Sequence, residues 1–216
     1  MARLDRHYCD ICKKPLPSMG YYRLKDGSIC ASCSRLISPL LSNRKDKTSD
    51  YIRRHIEYRK ENAKKLSSFR PSISFGYDKK IYIDPYISGF VVTRRKEEEI
   101  ILDNPDIIPL NQVVSCDTNI KEYKKEEYYI TEDGRKESYF PPHISYYYDF
   151  KVEIELDSEW LNKIIVDLNG ESIAGRGSVR YQKCTSIAKQ LKDTLMVDKK
   201  RMPFEVYKRE KDIFRL

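Results

Sequence analysis

The sequence predicts an α+β chain: a small N-terminal module, a linker helix, and an antiparallel β-domain closed by a C-terminal helix. Three observations lead there. Two Cys-x-x-Cys pairs fall within the first 33 residues, in a segment too short to bury a sufficient core of its own. A polar stretch of helical composition follows at residues 48–69. From residue 71 the hydrophobic period drops to two, and it returns to a helical period only after residue 178.

The N-terminal pattern is Cys9-x2-Cys12-x17-Cys30-x2-Cys33. Its spacing is that of a four-Cys zinc site. Each pair forms a tight knuckle whose two sulfurs reach one ion, and tetrahedral Zn²⁺ takes four sulfurs at about 2.3 Å. Four Cys ligands leave no open coordination position, so one structural Zn²⁺ is expected. "YYRLKDGSIC" reads as two short strands about Asp26-Gly27, a tight-hairpin signal. "ASCSRLISPLLS" reads as a short helix with Leu36, Ile37, Leu40 and Leu41 on its apolar side and Pro39 limiting its length. Knuckle, hairpin, then a second pair at a helix start is treble-clef order. A zinc ribbon, with both pairs on knuckles, is the alternative. Residues 1–42 are assigned to this module. Buried small hydrophobes and a redox dithiol are weaker readings of the four thiols: the spacing opposes the first, and the lack of a surrounding βαβ pattern opposes the second. His7, beside the motif, is expected as a surface histidine.

Residues 43–70 are assigned to a basic linker helix. Thr48 or Ser49 is placed to cap it, and Asp50 in the first turn favours its dipole. At 100° per residue Ile52, Ile56, Ala63 and Leu66 form one narrow stripe, expected to face inward. Arg53, Lys60 and Lys64 flank it on one side, and Arg54 and Lys65 on another. These five cations are the candidate partner-binding residues, with Glu57 and Glu61 partly offsetting them. Charge is segregated along the chain. Residues 1–70 hold 17 Lys/Arg and 7 Asp/Glu, while residues 71–216 hold 24 and 26. Zinc thiolates remove about two positive charges from the N-terminal third, which keeps a strong positive field.

Residues 71–198 are assigned to the β-domain. Strands are expected at 81–84, 87–95, 98–102, 111–120, 126–133, 144–156 and 162–168. In "FKVEIEL", Phe150, Val152, Ile154 and Leu156 face one way and Lys151, Glu153 and Glu155 the other. The closing helix carries Tyr181, Cys184, Ala188, Leu191 and Leu195 on one stripe, with Ser178 as cap. Antiparallel strands closed by one helix have the order of a pleckstrin-homology-like barrel. Cys116 and Cys184 fall at core positions. "GESIAGRGS" departs from a phosphate-binding loop, because Arg176 replaces the lysine and Gly177 displaces Ser178, so a plain connection is expected. The β-domain is expected to fold without the zinc module, and residues 199–216 are a tail.

No apolar leader, membrane-length run or lipidation signal is seen, which together with the paired cysteines predicts a cytoplasmic protein. No acid/base pair or nucleophile constellation is found, so no enzyme is expected and a small-molecule substrate is not anticipated. The segments "CDICKKPL", "YYRLKDGSICASC" and "LISPLLS", with the helix after them, resemble the start of a family of uncharacterised bacterial and phage-encoded proteins. That family begins with a four-Cys domain of unknown function. Many members continue into a pleckstrin-homology-like region with an "IYID…FVV" strand pair. The resemblance implies zinc and an interaction role, and it transfers no catalytic residue. The expected function is a zinc-stabilised adaptor for a protein partner. Nucleic-acid binding through the basic third, with Tyr8, Tyr21 and Tyr22 nearby, is the alternative.

Overall fold

A computed structural model describes residues 7–196. The expected tail, 199–216, lies outside the described residues. Strands β1 (Tyr21–Arg23) and β2 (Ser28–Cys30) pair antiparallel. Leu24 N–H donates to the Gly27 carbonyl at 2.8 Å and closes the turn over Lys25 and Asp26. Gly27 is required by close approach, since a Cβ there would overlap the Asp10 carboxylate. That carboxylate accepts Ser28 N–H at 2.8 Å and ties the first Cys pair to the hairpin. Helix α1 (Ala31–Ser34) follows β2 without a loop.

Helix α2 (Ser49–Leu66) starts at Thr48, whose hydroxyl accepts Tyr51 N–H at 3.2 Å. Asp26, at the hairpin tip, accepts Ser49 N–H at 2.7 Å and supplies a second cap from a distant residue. The inward face is Ile52, His55, Ile56, Arg59, Asn62 and Leu66. Ala63, expected inward, is exposed. The helix phase is set by polar residues that find buried partners, and an alanine adds too little apolar area to compete.

Beyond α2 run β3 (Ile73–Phe75), β4 (Lys80–Asp84) and β5 (Gly89–Thr93). A strand is expected over 98–102, but the chain forms a 3₁₀ turn at Glu97–Glu99 and then helix α3 (Ile100–Asp103). Three glutamates suit a helix start, only Ile100 of α3 is buried, and Asn104 in the left-handed region ends it. Then come β6 (Ile108–Pro109), β7 (Val113–Glu126), β8 (Tyr128–Ile130), β9 (Lys136–Ser138), β10 (Ile144–Leu156), β11 (Lys163–Asp167), β12 (Ile173–Ala174) and α4 (Val179–Met196).

The expected closed barrel is replaced by two open sheets. One has the order β3-β4-β5-β6; the other is built on β10, with β7 on one side and β11 and β12 on the other. Closure through β6 fails because that strand has two residues and ends in Pro109, which has no N–H. At the opposite corner one backbone bond joins the sheets, Tyr77 N–H to the Asp167 carbonyl at 3.0 Å, without growing into a ladder. Gly76 makes that corner with φ +101°, where a Cβ would strike the Lys79 carbonyl and Val166.

The sheets pack face to face over one core. Phe75, Ile81 and Phe90 come from the first sheet, Phe150, Val152 and Ile154 from the second, and Cys184, Ala188, Leu191 and Leu195 from α4. Ser178 caps α4 by accepting Tyr181 N–H at 3.2 Å. The "GESIAGRGS" stretch contains β12, which pairs with β10, and Arg176 lies over the Tyr148 ring. A separate small core surrounds the cysteines: Cys9, Leu24, Ile29, Cys33, Ile37 and Leu41, joined by Ile52 and Ile56 of α2.

Candidate metal centre and its buried seam

The first Cys pair sits on a tight turn. Cys9 N–H donates to the Lys14 carbonyl and Lys13 N–H to the Cys9 carbonyl, both at 2.8 Å, with Lys13 at φ 58°. The second pair is presented by α1, where Cys30 is the N-cap and its sulfur accepts Cys33 N–H at 3.4 Å. Cys30 N–H in turn points at the Cys9 sulfur at 3.3 Å.

The four Sγ atoms of Cys9, Cys12, Cys30 and Cys33 lie within 4.8 Å of one another. Around one tetrahedral ion with bonds of about 2.3 Å, neighbouring sulfurs stand about 3.8 Å apart. Cys12 and Cys30 are separated by 3.8 Å, far longer than a disulfide, and all four cysteines are free. Four sulfurs converging on one point suit a thiophilic cation and not an oxygen-seeking one. Burial raises the Cys9 pKa, but the N–H groups of Cys12, Cys30 and Ile11 outweigh it and bring the thiol down to about 6. Burial and the neighbouring sulfurs push Cys33 the other way. A bound dication would favour the thiolate at all four corners.

His7 is exposed and outside the cluster. Cys116 and Cys184 are buried in the sandwich core, where burial pushes the Cys116 thiol up to about 11 and raises Cys184 as well. Neither has the thiolate character that a ligand or a reactive cysteine needs.

Residues 7–55 match a domain of unknown function, DUF4428. The match covers the four cysteines and ends within α2. No curated protein and no solved structure matches the chain.

The five candidate cations all lie on the exposed side of α2, mostly in ion pairs. Arg53 meets Asp50 at 2.5 Å and Lys60 meets Glu57 at 2.7 Å. Lys64 meets Glu61 at 2.8 Å, and Arg54 reaches across to Glu159 at 2.5 Å. Lys65 makes no ion pair among the described residues and borders a groove.

The inner side of α2 holds a buried polar seam that the sequence reading missed. Arg59 donates to Asp106 at 2.9 Å, with both side chains almost fully enclosed. The other Asp106 oxygen accepts the Ser38 hydroxyl, and Ser38 N–H donates to His55 Nε2 at 3.2 Å. Asn62 donates to the Pro105 carbonyl and accepts Ile107 N–H, each at 2.8 Å. Ser38 belongs to the module and Asp106 to the loop before β6, so the seam joins both parts through α2. Trp160, after β10, packs on Tyr51, His55 and Tyr58 with ring centroids 5.0–5.5 Å apart. Burial holds His55 down at about 4, opposed by Asp106 and aided by Arg59 and Arg44. His55 is therefore neutral, and Nε2 is free to accept. The available signal was the run Ile52, His55, Ile56, Arg59, Asn62, Leu66, a helical face once polar residues are allowed in it.

Proposed function

We propose that this chain is a zinc-stabilised binding protein that recognises a protein partner and performs no catalysis. The convergence of four cysteine sulfurs on one point carries this reading, because an all-sulfur tetrahedron is closed to substrate. Zn²⁺ is the favoured ion, with Cys9, Cys12, Cys30 and Cys33 as its ligands. The order of knuckle, hairpin and ligand-bearing helix supports a treble clef. Two packed sheets with a closing helix support a pleckstrin-homology-like relationship for the β-domain. Reduced cysteines at such a site favour the cytoplasm. Among the described residues no helix is long and apolar enough to cross a membrane.

The charge arrangement on α2 favours protein over nucleic acid there. Paired Lys–Glu and Arg–Asp groups present alternating signs, which suit a protein surface better than a phosphate backbone. Elemental analysis of purified protein tests the metal, with close to one zinc per chain expected. Cross-linking in the native host followed by reconstitution with purified components tests the partner class. A catalytic turnover that depends on this chain would overturn the reading.

Nucleic-acid binding is supported by a different surface. Lys14, Arg23, Lys25 and Arg35 on the module, and Lys45 just after it, are exposed without an acidic partner among the described residues, and Tyr22 is exposed beside Arg23. Binding there would weaken steeply with salt, with a log–log slope of about −0.9 per phosphate contact on duplex DNA. Salt-insensitive or absent DNA and RNA binding removes this second reading.

A further inference from the structure

We infer that the groove between the C-terminal half of α2 and the β-domain docks an extended peptide segment of a protein partner, with an apolar side chain between Ile87 and Trp160 and a carboxylate at Lys65. This rests on the protein-binding reading above and assigns it a site. The groove encloses about 510 Å³. One wall is a single stripe of α2: Tyr58, Glu61, Asn62, Lys65 and Ser68 just past its end. Ten positions at 1.5 Å each make that wall about 15 Å long. An extended chain rises about 3.3 Å per residue, so the wall matches four or five residues of a strand-like peptide.

The opposite wall carries the apolar Ile87, Ile107, Pro109 and Trp160, with the polar Gln112, Ser158 and Glu159 among them. Ile87 is 42% exposed, although it faces a concave surface where it would be covered by a side chain. Pro109 blocks simple addition of a strand to the β6 edge, so recognition works through side chains. The charges set the polarity of the occupant. Glu61 is satisfied by Lys64 at 2.8 Å and Glu159 by Arg54 at 2.5 Å. Lys65 acts on Glu61 through space but makes no direct ion pair among the described residues, which leaves its ammonium open to an acidic group on the ligand. The Tyr58 hydroxyl and the Gln112 amide also lack hydrogen-bond partners among the described residues, and both line the groove. A few open polar groups along a groove with apolar members is the usual make-up of a specific ligand site. The two glutamates on its walls disfavour a phosphate backbone.

The test uses the full chain and a displayed library of random heptapeptides. Selected peptides are synthesised and titrated while the emission of Trp160, the one tryptophan in the sequence, is followed. The expected consensus is an apolar residue with Asp or Glu within four positions. Lys65→Glu and Ile87→Asp, both at exposed sites, should each weaken binding by about tenfold or more with thermal midpoint unchanged. Lys65→Glu should regain affinity for a peptide whose acid is replaced by Lys. No enrichment, or peptides that bind both variants as well as the parent, overturns the groove. A cross-linked host protein that binds parent and both variants equally also overturns the groove, while leaving the protein-binding reading intact. If the library and the host both yield no protein ligand, the two fall together.

Discussion

Cys9 and Cys33 are buried against Leu24, Ile29 and Ile37, whereas Cys12 is exposed and Cys30 half-buried. Loss of any one ligand therefore breaks the site, but with different side effects. Cys9→Ser should abolish metal retention and unfold the module, since it also leaves a polar hydroxyl in the small core. Cys12→Ser should lower retention strongly with less loss of packing, and Cys116→Ser should leave one metal per chain. Elemental analysis beside a thermal melt separates the three. His55 allows a test by pH. Its folded pKa, about 4, lies below the ordinary 6.5 because the imidazole is buried. Between those values the unfolded chain binds more protons than the folded one, so the stabilisation is full above pH 6.5 and is lost as pH falls toward 4. The stability difference between parent and His55→Gln should shrink over that window, with the glutamine oxygen still accepting Ser38 N–H. Comparing the two proteins cancels the loss of thiolate ligation common to both. A difference that stays constant from pH 7 to pH 4 would show that His55 is not held neutral.

At the scale of elements, α2 shows what could and could not be seen from residue order. The cap at Thr48 and the inward Ile52, Ile56 and Leu66 follow from spacing alone. The cysteine pattern likewise placed all four ligands, because local knuckles and a short hairpin suffice to bring them together. Arg59 and Asp106 were invisible as a pair because they are separated by 47 positions and meet only after the sheets pack. Strand order was legible where alternation was strong, as in β10, and failed at 98–102, where "EEIIL" has the composition of either state. Sheet closure depended on the lengths of β3 and β6, which no periodicity encodes. Asp106→Asn should cost about 3–5 kcal/mol, since it strands the Arg59 charge in the interior. Adding Arg59→Met should recover a good part of that loss in urea unfolding, because the stranded charge is then gone while the introduced amide still serves Ser38. A double variant less stable than the single would mean that Arg59 stabilises mainly through its other contacts.

For the whole molecule, the separation of the sandwich core from the module core makes a specific prediction about metal removal. The sandwich core draws its buried members from the two sheets, the segments flanking them and α4, while the module core takes its own from the cysteine region and α2. Chelation should therefore disorder the module yet leave the β-sheet circular dichroism largely in place. Trp160 should report the event all the same, because Tyr51 and His55 pack on it from the half of α2 that also carries Ile52 and Ile56. A shift in tryptophan emission with retained sheet signal is the expected result. Simultaneous loss of both signals would show that the parts fold as one unit.

Helix α2 also acts as a mechanical coupling with a fixed angular setting. Its first half is keyed to the module by Ile52 and Ile56, and its second half to the β-domain by Arg59, Asn62 and Leu66. Those two keys are only three positions apart, so their relative rotation is set by an unbroken helix. One residue inserted after Glu57 would turn the second key by about 100° and carry Arg59 away from Asp106. Seven inserted residues would return the rotation to within about 20°, but would also draw the two bodies apart by about 10 Å. Ser38 would then lose Asp106 even with both keys correctly turned. The module can thus be exchanged between related chains only as a graft that preserves both the winding and the length of this helix, and a cut at residue 55 would split the first key, separating Ile52 from Ile56.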